Sequence, residues 1–267
     1  MLQVNNLTVR LGENTLVNNI SFKLDSNQCL GIVGESGSGK SLTSYAINGL
    51  LGEEFKVNGS VMFEGKNLLD LTVKERQLMR GRKIAMIMQS PMTAFNPLFT
   101  IGNQVAETLC SHLHCSKKEA LSIINETCQC INLQNANALL AKYPHELSGG
   151  MLQRIMIAIT VALKPDLIIA DEPTTAIDYI SQKEVIGELQ KIRDLYKTSI
   201  IFISHDLSLV SRMADHLVVM NKGEIVEQGA TKDIFLHSNH DYTRYLINTR
   251  LKLINRFSQI MSHQHAD

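Results

Sequence analysis

The residues with the clearest chemical purpose run from Gly34 to Ser41, GESGSGKS, directly after the apolar run Cys29-Leu30-Gly31-Ile32-Val33. A short buried strand that enters a glycine-rich turn and then a helix leaves several backbone N–H groups aimed at one spot, with the positive helix end behind them. That geometry suits a polyphosphate. Gly34 and Gly39 let the backbone close around the phosphates where a Cβ would obstruct. Glu35, Ser36, Gly37 and Ser38 complete the cradle, Lys40 can reach the outer phosphates, and the Ser41 hydroxyl can hold Mg²⁺. The plain alternative is a glycine-rich turn that binds nothing, and the partners found downstream weigh against it.

Asp171-Glu172 ends the apolar run Leu167-Ile168-Ile169-Ala170. Asp171 is placed to hold Mg²⁺ through water, and Glu172, one residue further on, is a candidate base for an attacking water. Adjacent strand residues point to opposite faces, so the shared role requires the chain to turn at Pro173; alone, such a pair would be two solvated acids. His205 follows Ile200-Ile201-Phe202-Ile203-Ser204 and can donate to the terminal phosphate and position the water, or serve as a helix-cap neighbour. Gln89 follows Ile84-Ala85-Met86-Ile87-Met88 and can contact Mg²⁺ and the terminal phosphate, or be an ordinary strand-end polar residue. A second glycine-bearing stretch, Leu147-Ser148-Gly149-Gly150-Met151-Leu152-Gln153-Arg154, opens a helix that Ser148 caps. Its nearly side-chain-free first turn at Gly149 and Gly150 makes another anion site. One nucleotide does not need both sites from one chain, so the economical arrangement is two subunits head to tail, each closing on the other's phosphates.

These residues need a scaffold that gathers them. Leu2 to Arg10 and Ile20 to Leu24 read as strands of a small antiparallel sheet, joined by the turn-like Leu11-Gly12-Glu13-Asn14. The phosphate-loop helix is expected to continue to Leu51 and stop at Gly52, and Val57-Asn58-Gly59-Ser60 reads as a turn before Val61-Met62-Phe63. Lys74 to Arg80 reads as a polar helix. The prolines at 91 and 97 break the pattern, and from Gly102 to Leu163 no strand candidate occurs; helices are expected over Gln104 to Leu113, Lys117 to Ile131 and Leu152 to Leu163. Thereafter strands at Leu167 to Ala170, Ser199 to Ile203, Leu217 to Met220 and Ile225 to Val226 are interleaved with helices at Ser181 to Tyr196 and Leu207 to Ala214. Alternation of this kind implies an α/β fold with a parallel sheet covered on both faces, in which ligands sit at the carboxyl ends of strands. Gly34, Gln89, Asp171 and His205 all fall at such ends. The expected divisions are residues 1–89 and 165–230 for the two parts of the sheet core, the first carrying the antiparallel β subdomain, with 90–164 a helical subdomain and 231–267 a C-terminal extension.

The totals limit the rest. With 267 residues, 44% apolar and 19% charged, the composition is ordinary globular, and 26 basic against 26 acidic side chains gives no net field toward nucleic acid or an anionic membrane. No apolar stretch is long enough to span a bilayer, and Met1-Leu2-Gln3-Val4-Asn5 does not begin a signal peptide, so the expectation is a cytosolic chain. Five scattered cysteines fit a reducing compartment, and Cys128-x-Cys130, in a helical stretch, reads as bland thiols rather than a metal site. His237, His240, His263 and His265 read as a solvated end rather than a metal sensor.

GESGSGKS, Gln89, LSGGM, LIIADE and His205, in this order and spacing, resemble the ATP-binding subunits of ABC transporters over residues 1 to about 230. That implies a P-loop NTPase fold with a RecA-like parallel sheet, an N-terminal antiparallel β subdomain and a helical insertion. Met151 in place of the usual glutamine, Met88-Gln89-Ser90-Pro91, Ala94-Phe95-Asn96-Pro97-Leu98, and Asn239-His240-Asp241-Tyr242-Thr243 resemble the nickel and peptide importer branch, most nearly its nickel-import members. Asp241 stands where that branch has a proline. The resemblance implies ATP and Mg²⁺ as ligands, with Ser41, Gln89 and Asp171 around the metal and Glu172 and His205 catalytic. It also implies a second, non-identical ATP-binding subunit, two membrane permeases, an extracytoplasmic solute-binding protein, and a peripheral location on the cytoplasmic side of the cell membrane. Leu11 stands where many members stack an aromatic ring on adenine, and no cysteine follows Cys130, which disfavours an iron–sulfur cluster in the extension.

Overall fold

The computed structural model describes residues 1–175 and 177–249, apart from the side chains of Tyr179 and Ile180. Strands β1 (Leu2–Leu11) and β2 (Asn14–Leu24) form a hairpin, and β1 also pairs antiparallel with β4 (Phe55–Phe63), which pairs with the short β5 (Lys66–Asn67). The second sheet has six strands in the order β10 (Glu224–Ala230), β9 (His216–Asn221), β3 (Cys29–Val33), β8 (Ser199–Ile203), β7 (Leu167–Asp171), β6 (Ile84–Ile87). All its neighbours are parallel except β10, which runs antiparallel to β9. Strands β3, β7 and β8 are buried at every position, as expected where both faces are covered.

The helices are α1 (Lys40–Asn48), α2 (Val73–Met79), α3 (Pro91–Ala94), α4 (Ile101–Leu113), α5 (Lys117–Cys130), α6 (Ala136–Leu140), α7 (Gly149–Ala162), α8 (Tyr179–Tyr196), α9 (Leu207–Met213) and α10 (Thr231–His237), with a further helical segment over residues 241–249. One apolar cluster joins α4, α5 and α7 of the insertion to one face of the large sheet; the other joins the antiparallel sheet and α1 to the opposite face. At Gly31 of β3 an added Cβ would lie 2.4 Å from Val210 Cγ1 of α9, so the bare backbone lets that helix rest directly on the sheet.

Three local expectations are corrected. Helix α1 stops at Gly49 rather than Gly52, because Gly49 takes the left-handed conformation (φ 61°) and Arg80 donates to the carbonyls of Asn48 and Gly49 that the helix end leaves over. Gly59 is not in a turn but inside β4: its φ is 107°, an added Cβ would meet the carbonyl oxygens of Asn6 and Asn5 at 2.6 and 2.7 Å, and the β1–β4 register shifts between Asn5 and Thr8. The glycine serves a bulge. Strand β2 begins at Asn14 rather than Ile20, its polar half paired along β1 and bulged where Asn6 Nδ2 donates to Asn19 Oδ1 at 2.8 Å.

Candidate active site

Strand β3 delivers the chain into the glycine loop, and α1 leaves it. Gly34, Gly37 and Gly39 have φ of 155°, 80° and 101°. A Cβ at Gly34 would sit 2.2 Å from the Met220 carbonyl oxygen and 2.6 Å from Ser38 Oγ, so this approach of loop to β9 admits only glycine. Lys40 is buried, and its ammonium donates to the carbonyls of Gly34 (2.9 Å) and Glu35 (2.8 Å) and to Ser38 Oγ (3.4 Å). Burial lowers its pKa, against the pull of Glu172 and Asp171.

The carboxyl ends of β6, β7 and β8 supply the rest. Asp171 is 1% exposed and accepts from Ser41 Oγ at 3.1 Å; burial raises its pKa, the Ser41 bond lowers it and Glu172 raises it. Glu172 has φ 47°, an uncommon value for a residue with a side chain, and its N–H donates to the Ile203 carbonyl at 2.9 Å. That turn carries Glu172 round to the loop side, so the two adjacent acids serve one site. Glu172 Oε2 accepts from Gln89 Nε2 (3.0 Å) and Thr175 Oγ1 (2.8 Å), and Oε1 lies 3.4 Å from His205 Nδ1. Gln89, Glu172 and His205 line one cavity of about 800 Å³ with Gly34 to Gly37 and Gly39 to Ser41. Two hard oxygen donors, the Ser41 hydroxyl and the Asp171 carboxylate, meet beside that cavity. This is the chemistry a small divalent cation that retains several waters requires.

Ser148, Gly149 and Gly150 are not among the residues lining this cavity. Ser148 caps α7 as expected, accepting from the Met151 N–H at 3.2 Å, and Gly150 packs so closely on α8 that a Cβ would meet Ser181 Oγ at 2.6 Å. Leu11 is 40% exposed at the end of β1. Among the described residues no group of histidine, cysteine and acidic side chains is arranged to hold a metal; His263 and His265 lie outside them. Cys128 is buried, which pushes its thiol up to about 11, and Cys130 is exposed.

Three contacts have no signature in the sequence, although Arg154 and Tyr242 lie in stretches quoted above. Thr175 braces Glu172. Arg154, four residues past Gly150, ties α7 to its surroundings, donating to Glu188 (2.6 Å), Glu184 (3.1 Å) and the Asn132 carbonyl (3.1 Å). Tyr242, from the C-terminal extension, meets the glycine loop itself: its hydroxyl accepts from the Glu35 N–H at 3.0 Å.

Residues 17–175 match the ABC transporter family model. The chain belongs to that family. The ABC fold extends beyond the matched segment: a dimeric bacterial ABC transporter cassette superposes with a TM-score of 0.76 at 25% identity, covering 86% of this chain and 99% of that one. The chain is therefore an ABC-type ATPase, coupling ATP hydrolysis to transport, with a RecA-like sheet and helical insertion. Its similarity to the metal-staphylopine import system ATP-binding protein CntD of Staphylococcus aureus is 41% identity over 98% of this chain and 97% of that protein. To the oligopeptide transport ATP-binding protein OppD of Salmonella typhimurium it is 38% over 98% of this chain and 79% of that protein. The ABC chain thus sits among metal-chelate and peptide import relatives, which replaces the narrower likeness to nickel-import members. No described helix is long and apolar enough to cross a membrane.

Proposed function

We propose that the chain is one half of a two-chain ATP-binding unit that drives import of a transition metal, as nickel or a small metal chelate, through two separate permeases fed by an extracytoplasmic binding protein. The observation that carries the reading is that the phosphate loop, Gln89, Glu172 and His205 line one cavity, with Asp171 bonded to Ser41 Oγ beside it. In this reading the N–H groups from Glu35 to Ser41 and the Lys40 ammonium bind the β- and γ-phosphates. Ser41 and Asp171, with the Gln89 amide oxygen, hold Mg²⁺, which when bound neutralises phosphate charge. Glu172 accepts a proton from the water that attacks the γ-phosphorus as the bond to the β–γ bridging oxygen breaks, and His205 orients that water. The helix end formed by Ser148, Gly149 and Gly150 meets the γ-phosphate held by the partner, which accounts for these residues standing apart from this chain's own cavity.

ATP binding draws the two chains together, and the helical insertion transmits that closure to the permeases on the cytoplasmic face of the membrane. The work available is the difference in ATP affinity between open and closed arrangements. A non-identical partner is the reading the family resemblance supports. The similarity to a metal-staphylopine system supports a metal chelate as cargo, and the similarity to an oligopeptide system supports short peptides as the second reading. Uptake by a strain lacking this chain separates them. Loss of radiolabelled nickel uptake, free or chelated, with peptide uptake intact supports the metal; loss of peptide uptake alone refutes it.

A further inference from the structure

The C-terminal extension does more than follow the sheet. Residues 241–249 form a helix, α11, in which Thr243 and Ile247, one turn apart, are 2% and 8% exposed against the body of the protein. Tyr242 and Leu246, on the neighbouring row, pack partly buried on the main apolar cluster, and Tyr245, Leu246 and Thr249 line the cavity that holds Lys40, Glu172 and His205. Helix α11 is therefore a wall of the nucleotide cavity. Its one polar tie to the phosphate loop among the hydrogen bonds described above is the Tyr242 hydroxyl, which accepts from the N–H of Glu35 across 207 positions of sequence. Glu35 is the second residue of GESGSGKS, and its carbonyl also receives the Lys40 ammonium. The contact thus acts on the peptide that follows Gly34 and on the residue that anchors the phosphate-binding lysine.

We propose that Tyr242 is a positioning residue for the phosphate loop, and that through it the C-terminal helix sets the affinity of this subunit for ATP. The inference rests on the reading that the loop binds ATP. A loop with several glycines must be ordered before its N–H groups converge, and a hydroxyl that fixes one peptide in advance removes part of that ordering cost from binding. Burial raises the pKa of the phenol, so the group acting on the loop at neutral pH is the uncharged hydroxyl.

Tyr242→Phe removes the hydroxyl and keeps the ring. Titration calorimetry of Mg-ATP into the full chain is expected to show Kd raised by about 2- to 10-fold, the value of one net hydrogen bond, with the nucleotide-free melting temperature lowered by no more than about 4 °C. In the assembled transporter the same variant raises KM for ATP by a similar factor and leaves kcat alone. An unchanged Kd, with Lys40→Ala abolishing binding in parallel, overturns the role of Tyr242 while the ATP site stands. Undiminished binding by Lys40→Ala overturns the site reading itself. A melting temperature that falls by more than about 10 °C together with affinity marks Tyr242 as packing only and also overturns the proposal.

Discussion

Replacing Glu172 by Gln separates proton transfer from everything else the side chain does. Oε2 accepts from both Gln89 and Thr175, whereas Oε1 faces His205 Nδ1 at 3.4 Å. A glutamine in the same rotamer keeps its carbonyl oxygen toward the two donors and turns its NH₂ toward the imidazole, which can accept when neutral. No donor is orphaned, and the left-handed backbone at 172 is no harder for Gln than for Glu. Folding stability should therefore change by no more than about 1 kcal/mol, and ATP should bind the isolated chain as before. What is lost is a carboxylate able to take a proton, so turnover in the reconstituted transporter should fall about 10²- to 10⁴-fold, or about 3 to 5 kcal/mol of barrier. Phosphate release at saturating ATP is the assay, with binding and melting measured on the same preparation. Near-normal hydrolysis removes Glu172 from the role of base, and lost ATP affinity means that it holds nucleotide rather than protons.

Ser148→Arg should leave ATP binding to the isolated chain intact and block ATP-driven pairing with the partner, as read by sedimentation; Ser148 is exposed, so the arginine fits the single chain at the cost of about 1 kcal/mol of helix cap. Loss of binding to the isolated chain would show that the stretch serves its own site. Glu188 is 4% exposed, and burial, only partly offset by Arg154, pushes its carboxyl from 4.5 up to about 7. The folded state holds this proton more tightly than the unfolded one, so the stability linked to it is present below pH 4.5 and is lost as pH rises to about 7. Glu188→Gln should therefore raise stability by up to about 3 kcal/mol at pH 8 and leave it nearly unchanged at pH 4.5, as measured by urea unfolding. An equal effect at both values would mean that Glu188 does not titrate in that interval.

The motifs were legible because each couples a strand end to a residue of distinctive chemistry. The phosphate loop, Gln89, Asp171, Glu172 and His205 could be placed without knowing strand order. The errors fell where a residue type has two uses. Gly52 and Gly49 both look like helix stops, and the left-handed backbone at Gly49 with the Arg80 contacts to the carbonyls at 48 and 49 selects the earlier one. Gly59 signals a turn in isolation, but a bulge pressed against Asn5 and Asn6 also demands glycine. Helix α6 lies in an Asn-rich run whose local preference is for turns, and it is held by burial of Leu139 and Leu140. The Tyr242 contact had no local signature, since nothing near residue 242 says that it meets residue 35.

Gly31 joins two parts of the proposed catalytic apparatus that lie far apart in the sequence. Because α9 rests on β3 without a side chain between them, the segment after His205 and the strand that ends in the phosphate loop form one block. The histidine and the cradle for the phosphates are thus carried on a common chassis. A rearrangement confined to the helical insertion would therefore leave the histidine and the cradle in their mutual alignment.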